Sequence, residues 1–264
     1  MLILLMSAAL SRAVQPKQDT LQAWDNYIGQ LKMAMAGRAS GGSPFLGVYE
    51  TPELMQRVQR GEVVVTDHDP RKVPQGLIHH WIGAMFVPNA TIDQVMKVLG
   101  SYDRFGDFYS PLIKKSVVLE QDGDHARVNV LAVQKAFSVT ATVDTDNEIQ
   151  VVRLSRSRIY IMADAVRVQE IADYGQPNEH PFPEDRRPGY VWRAFVLQRI
   201  EERDGGVYVE LETVALSRGI PVEFRWLIKP LTDELPRRLM LDMLNDTRIA
   251  VRRDAQSSGS QGQN

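Results

Sequence analysis

Leu21, Trp24, Ile28, Leu31 and Met35 recur at steps of three and four, the spacing of a single buried stripe on an amphipathic helix. Asp19 precedes them with Gln22 three positions on, a capping-box spacing that predicts where the helix begins. Stripes of this kind are more often packing faces than recognition surfaces, so this helix is expected to lie against the rest of the protein. Residues 37–47 collect Gly, Ser and Pro and read as a connector. Thr51 as cap, Pro52 at the first helical position and Gly61 just past the end predict a second, short helix.

The rhythm then becomes β-like. Residues 62–66 and 78–87 predict strands around a polar turn holding Asp67, His68, Asp69 and Pro70. Pro88 ends the second of these, and Thr91 with Gln94 repeats the capping-box spacing before Ile92, Val95 and Leu99, with Gly100 closing the helix. Another helical stretch is expected over residues 102–109, stopped by Pro111. From Ile113 the period is two. Residues 113–171 predict an antiparallel meander with turns at Gln121-Asp122-Gly123-Asp124 and at Asp144-Thr145-Asp146-Asn147. Within it Phe137, Val139, Ala141 and Val143 share one face while Ser138, Thr140 and Thr142 share the other, so one face is buried. Residues 174–188, with Pro177, Pro181, Pro183 and Pro188 among charges, predict a long surface loop, either a lid or a disordered insert.

Two alternating runs meet at Asp204-Gly205-Gly206. A tight turn there sets Arg199 opposite Glu210 and Leu197 opposite Glu212. In this register Arg193, Arg199, Glu210 and Glu212 form an outward charged ladder; Trp192, Ala194 and Val196 join Val209, Leu211, Thr213 and Ala215 on the inward, apolar face. A helix in two pieces follows, residues 221–228 and 234–253. Leu239, Met240, Met243, Leu244, Thr247, Ala250 and Val251 lie on the inward side of the second piece, and Pro236 in its first turn. Residues 254–264 are a disordered tail by composition.

Trp81 to Val87 before Pro88, Tyr102-Asp103-Arg104-Phe105 with Tyr109-Ser110-Pro111, Tyr190-Val191-Trp192-Arg193, Gly206-Val207-Tyr208-Val209-Glu210 and Ile220-Pro221 before the last helix together resemble the START-like, or SRPBCC, superfamily. That resemblance implies an α+β helix-grip fold: a curved antiparallel sheet wrapped around a long C-terminal helix, enclosing an apolar cavity. It also implies binding or transport of a small apolar ligand, lipid-, quinone- or polyketide-like. The alternatives are a cofactor-free cyclase or hydrolase acting on such a ligand, and an envelope scaffold whose core is filled. The expected organisation is an export segment over 1–13, an N-terminal helical extension over 14–61, the START-like domain over 62–253 and the tail over 254–264. By the same resemblance, roughly the first hundred residues and the proline-rich insert lie outside the superfamily's common core.

Composition narrows the chemistry. With 264 residues, 44% hydrophobic and 24% charged, the chain is ordinary globular material. A net charge of -2 gives no field to gather phosphates, so no nucleic-acid partner is expected. The absence of cysteine excludes disulfides, zinc-thiolate sites and iron-sulfur clusters. Residues 1–10 are apolar and lead into Ser11-Arg12-Ala13, small residues where a signal peptidase reads, though no basic residue precedes them. The run is either an export signal, making the protein periplasmic or secreted, or a buried N-terminal helix or fraying tail, leaving it cytoplasmic. It is too short to span a bilayer, and no stable membrane span is expected.

His79 and His80 are adjacent, so on a strand they point to opposite faces and cannot share one metal. Either one, with Tyr109, is a candidate acid/base group for the enzymatic alternative. Asp67-His68-Asp69 reads as a solvated loop. The chain has no Gly-rich phosphate loop, no nucleophile elbow and no HExxH helix, and no cofactor or metal is expected. Candidate ligand-binding residues are Trp81, Tyr109, Trp192, Thr213, Trp226, Met240 and Met243, because indoles and thioethers shape apolar pockets with few polar handles.

Overall fold

In the computed structural model, which describes residues 15–136, 139–183, 191–219 and 235–261, the alternating runs pair into a single curved sheet, antiparallel throughout. The strands are β1 (Val64–Val73), β2 (Gly76–Pro88), β3 (Ile113–Asp122), β4 (His125–Ala136), β5 (Val139–Ser155), β6 (Arg158–Ala172), the short β7 (His180–Pro181), β8 (Arg193–Arg203) and β9 (Gly206–Arg218). Their spatial order is β1-β2-β9-β8-β6-β5-β4-β3, with β7 attached to β6. The chain therefore crosses from one end of the sheet to the other between β2 and β3, then returns strand by strand until β9 zips against β2.

Five helices flank the sheet among the described residues: α1 (Gln18–Ala39), α2 (Pro52–Gln59), α3 (Ile92–Leu99), α4 (Phe105–Phe108) and α5 (Leu235–Gln261). Short 3-10 turns cover Gly47–Glu50 and Tyr102–Arg104. Pro52 opens α2 after Thr51, which stands at the N-cap position without a side-chain cap bond, whereas Thr91 and Gln94 of α3 complete the expected reciprocal capping box, satisfying two backbone donors that helix geometry leaves orphaned. The start of α1 differs. Lys17 is its N-cap and Asp19 lies inside the first turn, accepting from the Thr20 N–H. The helix is held instead by Thr20, whose hydroxyl donates to the Pro74 carbonyl at 2.6 Å.

Three other boundaries depart from the sequence reading. β1 runs straight through Asp67 to Pro70, with its register broken between His68 and Arg71. The bulge absorbs Pro70, which has no N–H to offer a ladder. Asp144 to Asn147 lie in the middle of β5, not in a turn: Asp144 pairs with Leu131 on one side and Gln169 on the other. Their carboxylates point outward to Arg167, which donates to Asp144 and Asp146 at 3.0 Å each, so a polar run that resembles a turn is a matched ladder. At the C-terminus α5 continues to Gln261 instead of ending at Arg253. The expected export segment, Phe137, Tyr190, Trp226 and the helix expected over 221–228 lie outside the described residues.

The β8–β9 hairpin follows the predicted register, Arg199 opposite Glu210 and Leu197 opposite Glu212. Asp204 and Gly205 take φ of 57° and 75°, the left-handed pair that a two-residue hairpin turn matched to strand twist requires. Both faces of this hairpin are buried. On one, Trp81, Met85, Ile200, Val209 and Leu211 meet Val95 and Leu99 of α3 and Met240, Leu244 and Val251 of α5. On the other, Ile78, Phe195, Leu197, Tyr208 and Leu216 meet Trp24, Ile28 and Met35 of α1 with Phe45, Leu46, Val48 and Val58. The α1 stripe is thus a packing face, as its periodicity predicts. The molecule has three layers, and the N-terminal extension is one of them.

Candidate functional site

Strand alternation places Trp81 and Thr213 side by side on the inner face, the face toward α5. Met240 and Met243 come down from α5, and Gly83 makes their approach possible: a Cβ there would lie 2.7 Å from Met240 Sδ and 2.7 Å from Leu244 Cδ1. Tyr109 joins from the turn after α4, packed edge-on against Phe105 and Phe108, with its hydroxyl 3.0 Å from Thr247 Oγ1 on α5. Burial pushes the Tyr109 phenol up to about 12, so it stays protonated at neutral pH. Five of the seven expected site residues therefore converge on one face. Trp226 lies outside the described residues.

Trp192 is the exception. Its indole packs in the outer core with Trp24 and Phe195. Regular alternation begins only at Arg193; Trp192 precedes the first rung, its N–H donating to the Leu216 carbonyl at 2.7 Å. Extrapolating the parity of Ala194 and Val196 by one more step therefore puts it on the wrong face.

The long contacts of α5 are with β1, β2, α3 and α4. Farther along the same face, Val130 and Ala132 on β4, Val143 and Thr145 on β5, Ala163 on β6 and Val196 on β8 are half-buried rather than buried. They form an apolar band with a few polar points. Asn147 is one: its amide donates to Thr145 Oγ1 at 2.9 Å and reaches the Val128 carbonyl at 3.3 Å. Nothing in the composition of 144–147 indicated that Thr145 and Asn147 face the interior; that follows once these residues are known to be mid-strand.

At the β2–β9 end of the inner face, His79 Nε2 lies 2.9 Å from Ser217 Oγ. The two sit on paired strands, His79 opposite Ala215 and Leu77 opposite Ser217. His80, as adjacency requires, points the other way. Among the described residues no cluster of three or more His, Cys, Asp and Glu could hold a metal ion.

The outer face carries the strongest electrostatics. Glu210, fully buried, accepts from the Gly47 and Val48 N–H groups at 3.0 and 2.7 Å and from Arg199 Nε at 2.7 Å. Arg199 reaches Glu212 at 2.6 Å with Nη2. His80 Nε2 is 2.8 Å from Glu212 Oε1, a close polar contact without hydrogen-bond alignment. His80 Nδ1 is 2.7 Å from the Tyr27 hydroxyl on α1. The ladder expected to face solvent is instead sealed under the N-terminal layer; register alone cannot say which face a distant segment covers. Burial opposes ionisation of Glu212, but the His80 contact and the Arg199 charge outweigh it and hold its carboxyl below the ordinary glutamate value.

No protein-family model matches the chain, and no curated protein matches it in sequence. Among solved structures it is similar to the Zhui aromatase/cyclase from a Streptomyces species, at 14% identity over 69% of this chain and 98% of that one, TM-score 0.48. It is similar also to a STAR-related lipid transfer protein from Xanthomonas axonopodis, at 16% identity over 71% and 98%, TM-score 0.46. Human StAR-related lipid transfer protein 5 shares 13% identity over 85% of this chain and 99% of that one, TM-score 0.45. The strand order, with β9 closing on β2 and α5 lying across them, decides the class. The architecture is START-like. In this chain α1 and the segment Phe45 to Val58 cover the outer face of the sheet. No helix among the described residues is long and apolar enough to cross a membrane.

Acid should loosen the outer ladder in a defined window. Hydrogen bonding to Arg167, against the cost of burial, with help from Asn129 and Arg127, lowers the Asp146 carboxyl from 3.8 to about 2. A depressed carboxylate contributes stability above its unfolded value and loses it as pH falls through the folded one. Wild type and Asp146→Asn should differ most in Tm near neutrality, and the gap should close between 3.8 and about 2. Thermal melts over that range check this; a pH-independent gap would exclude the assigned linkage.

Proposed function

We propose that this protein binds or carries a small apolar molecule, lipid-, quinone- or polyketide-like, between the inner face of its sheet and α5. One observation carries this reading. The apolar band through Val130, Val143, Ala163 and Val196 is only half-buried, although it continues the face on which Trp81, Met240 and Leu244 are fully packed. An apolar surface left half-exposed beside a packed core is where a lipophilic ligand gains most from leaving water, at about 25 cal/mol per Å². Thr145, Asn147 and Thr213 would supply the few polar handles that fix its orientation.

Native mass spectrometry of protein purified from its source, followed by solvent extraction, should release a stoichiometric lipophilic molecule. The neutral probe N-phenyl-1-naphthylamine should bind saturably to wild type. Ala163→Phe, which fills the band, should weaken uptake by about tenfold or more with Tm unchanged. A wild type that is clean of adducts and takes up no probe would contradict the reading.

A second reading, a cofactor-free hydrolase or cyclase acting on that ligand, is supported by the Ser217–His79 contact at 2.9 Å on the same face. A hydroxyl within reach of an imidazole is the minimum of an activated nucleophile. Turnover of a p-nitrophenyl ester that is abolished in Ser217→Ala and His79→Ala, with probe binding retained, would favour it; full turnover in both would remove it.

A further inference from the structure

We propose a second ligand site on the outer face, where Arg158 and Arg203 bind an organic anion, a phosphate or carboxylate borne on an apolar body, in the crease between the N-terminal layer and the β8–β9 hairpin. Two adjoining clefts of about 380 and 520 Å³ meet there, sharing Phe45, Arg158 and Arg203. The larger is within the size range of small-molecule sites. Among the described residues its charged lining is the two arginines, and Tyr49, Pro52 and Met55 give it an apolar wall.

The guanidinium groups are held in similar ways. Arg158 Nε donates to Glu201 Oε1 at 2.7 Å, and Glu201, buried, takes the Tyr49 hydroxyl on its other oxygen at 2.7 Å. Arg203 Nε lies 3.4 Å from Asp204 Oδ2, with the guanidinium 5.0 Å above the Tyr49 ring. Each thus turns its Nε edge to a protein carboxylate, and its two terminal nitrogens have no protein acceptor among the described residues. That pair of N–H groups is the fork that fits a carboxylate or phosphate edge.

The nearby acids are engaged by the protein itself. Glu202 accepts from the Ile92 N–H, Asp204 holds the Tyr208 hydroxyl, and Glu50 pairs with Arg38. Local charge is therefore close to balanced, so recognition comes from directed donors rather than from a broad positive field. An inorganic ion alone should bind weakly, and an apolar body against Tyr49 and Met55 should add affinity.

Calorimetric titration of the full-length protein tests this, with phenyl phosphate, inorganic phosphate and benzyl alcohol as probes. Phenyl phosphate should bind saturably and more tightly than either of the others. Arg203→Gln, at an exposed position, and Arg158→Lys, which keeps a cation beside Glu201, should each weaken it about 10- to 100-fold. N-phenyl-1-naphthylamine uptake should be unchanged in both variants and undisturbed by phenyl phosphate, because the two sites lie on opposite faces of the sheet.

Phosphatidylcholine vesicles containing phosphatidic acid identify the source of the anion. Arginine-dependent vesicle binding that phenyl phosphate competes away supports the site with a lipid headgroup as its ligand. Phenyl phosphate binding without vesicle binding supports it with a soluble ligand. The proposal is overturned if phenyl phosphate binds no better than inorganic phosphate, or if both variants bind it as wild type does.

Discussion

Arg199→Leu should lower the unfolding free energy by about 3–5 kcal/mol, the usual consequence of removing one partner from a buried charge cluster. Arg199 is only 4% exposed and lies between Glu210 and Glu212. Without its cation, Glu210 keeps the Gly47 and Val48 N–H groups and Glu212 keeps the His80 contact, but two carboxylates remain buried beside each other. The loss should be felt first in the N-terminal layer, because Glu210, the partner of Arg199, also holds the Gly47 and Val48 amides of the Gly47–Glu50 turn. Chemical denaturation measures the total. Hydrogen exchange at the Gly47 and Val48 amides locates it, and these amides should lose protection before those of β8 and β9. A loss under about 1 kcal/mol would place the ladder in the class of weak, solvent-screened pairs.

Leu244→Ala should cost about 2–5 kcal/mol, the range for a buried leucine whose cavity only partly collapses. Leu244 is 2% exposed and sits over Gly83, where the sheet has no side chain to interfere with α5. Gly83→Ala alone should also destabilise, by about 1–3 kcal/mol, since the new methyl would meet Leu244 and Met240 at 2.7 Å. In the double variant the methyl occupies space the leucine vacated, so the combined loss should fall short of the sum. Additive losses in a double-mutant cycle would mean that Gly83 is not the seat of α5. Because Met240 and Met243 descend from the same helix, probe uptake should fall alongside stability in Leu244→Ala.

Residues that answer to their near neighbours were legible in advance. The α1 stripe, the Thr91–Gln94 box and the Asp204-Gly205 turn depend on steps of two to four residues, and all stand where the pattern put them. The polar runs misled because composition reports solvation, not pairing. Asp144 and Asp146 look like a turn until Arg167, on a neighbouring strand, is seen to neutralise them. Pro70 looks like a strand end until the bulge opposite His80 absorbs it.

By itself the sequence determined the capped start of α3, the period of the strands, the hairpin register and the sharing of one face by Trp81, Thr213, Met240 and Met243. All follow from backbone geometry repeated over a few residues. That both faces of β8 and β9 would be covered was decided only in three dimensions. Glu210 meets backbone amides at Gly47 and Val48, more than a hundred and fifty positions away, and Ser217 meets His79 across 138. Such contacts form only when the whole sheet is assembled, because a side chain's burial depends on what packs over it, and no local spacing encodes that.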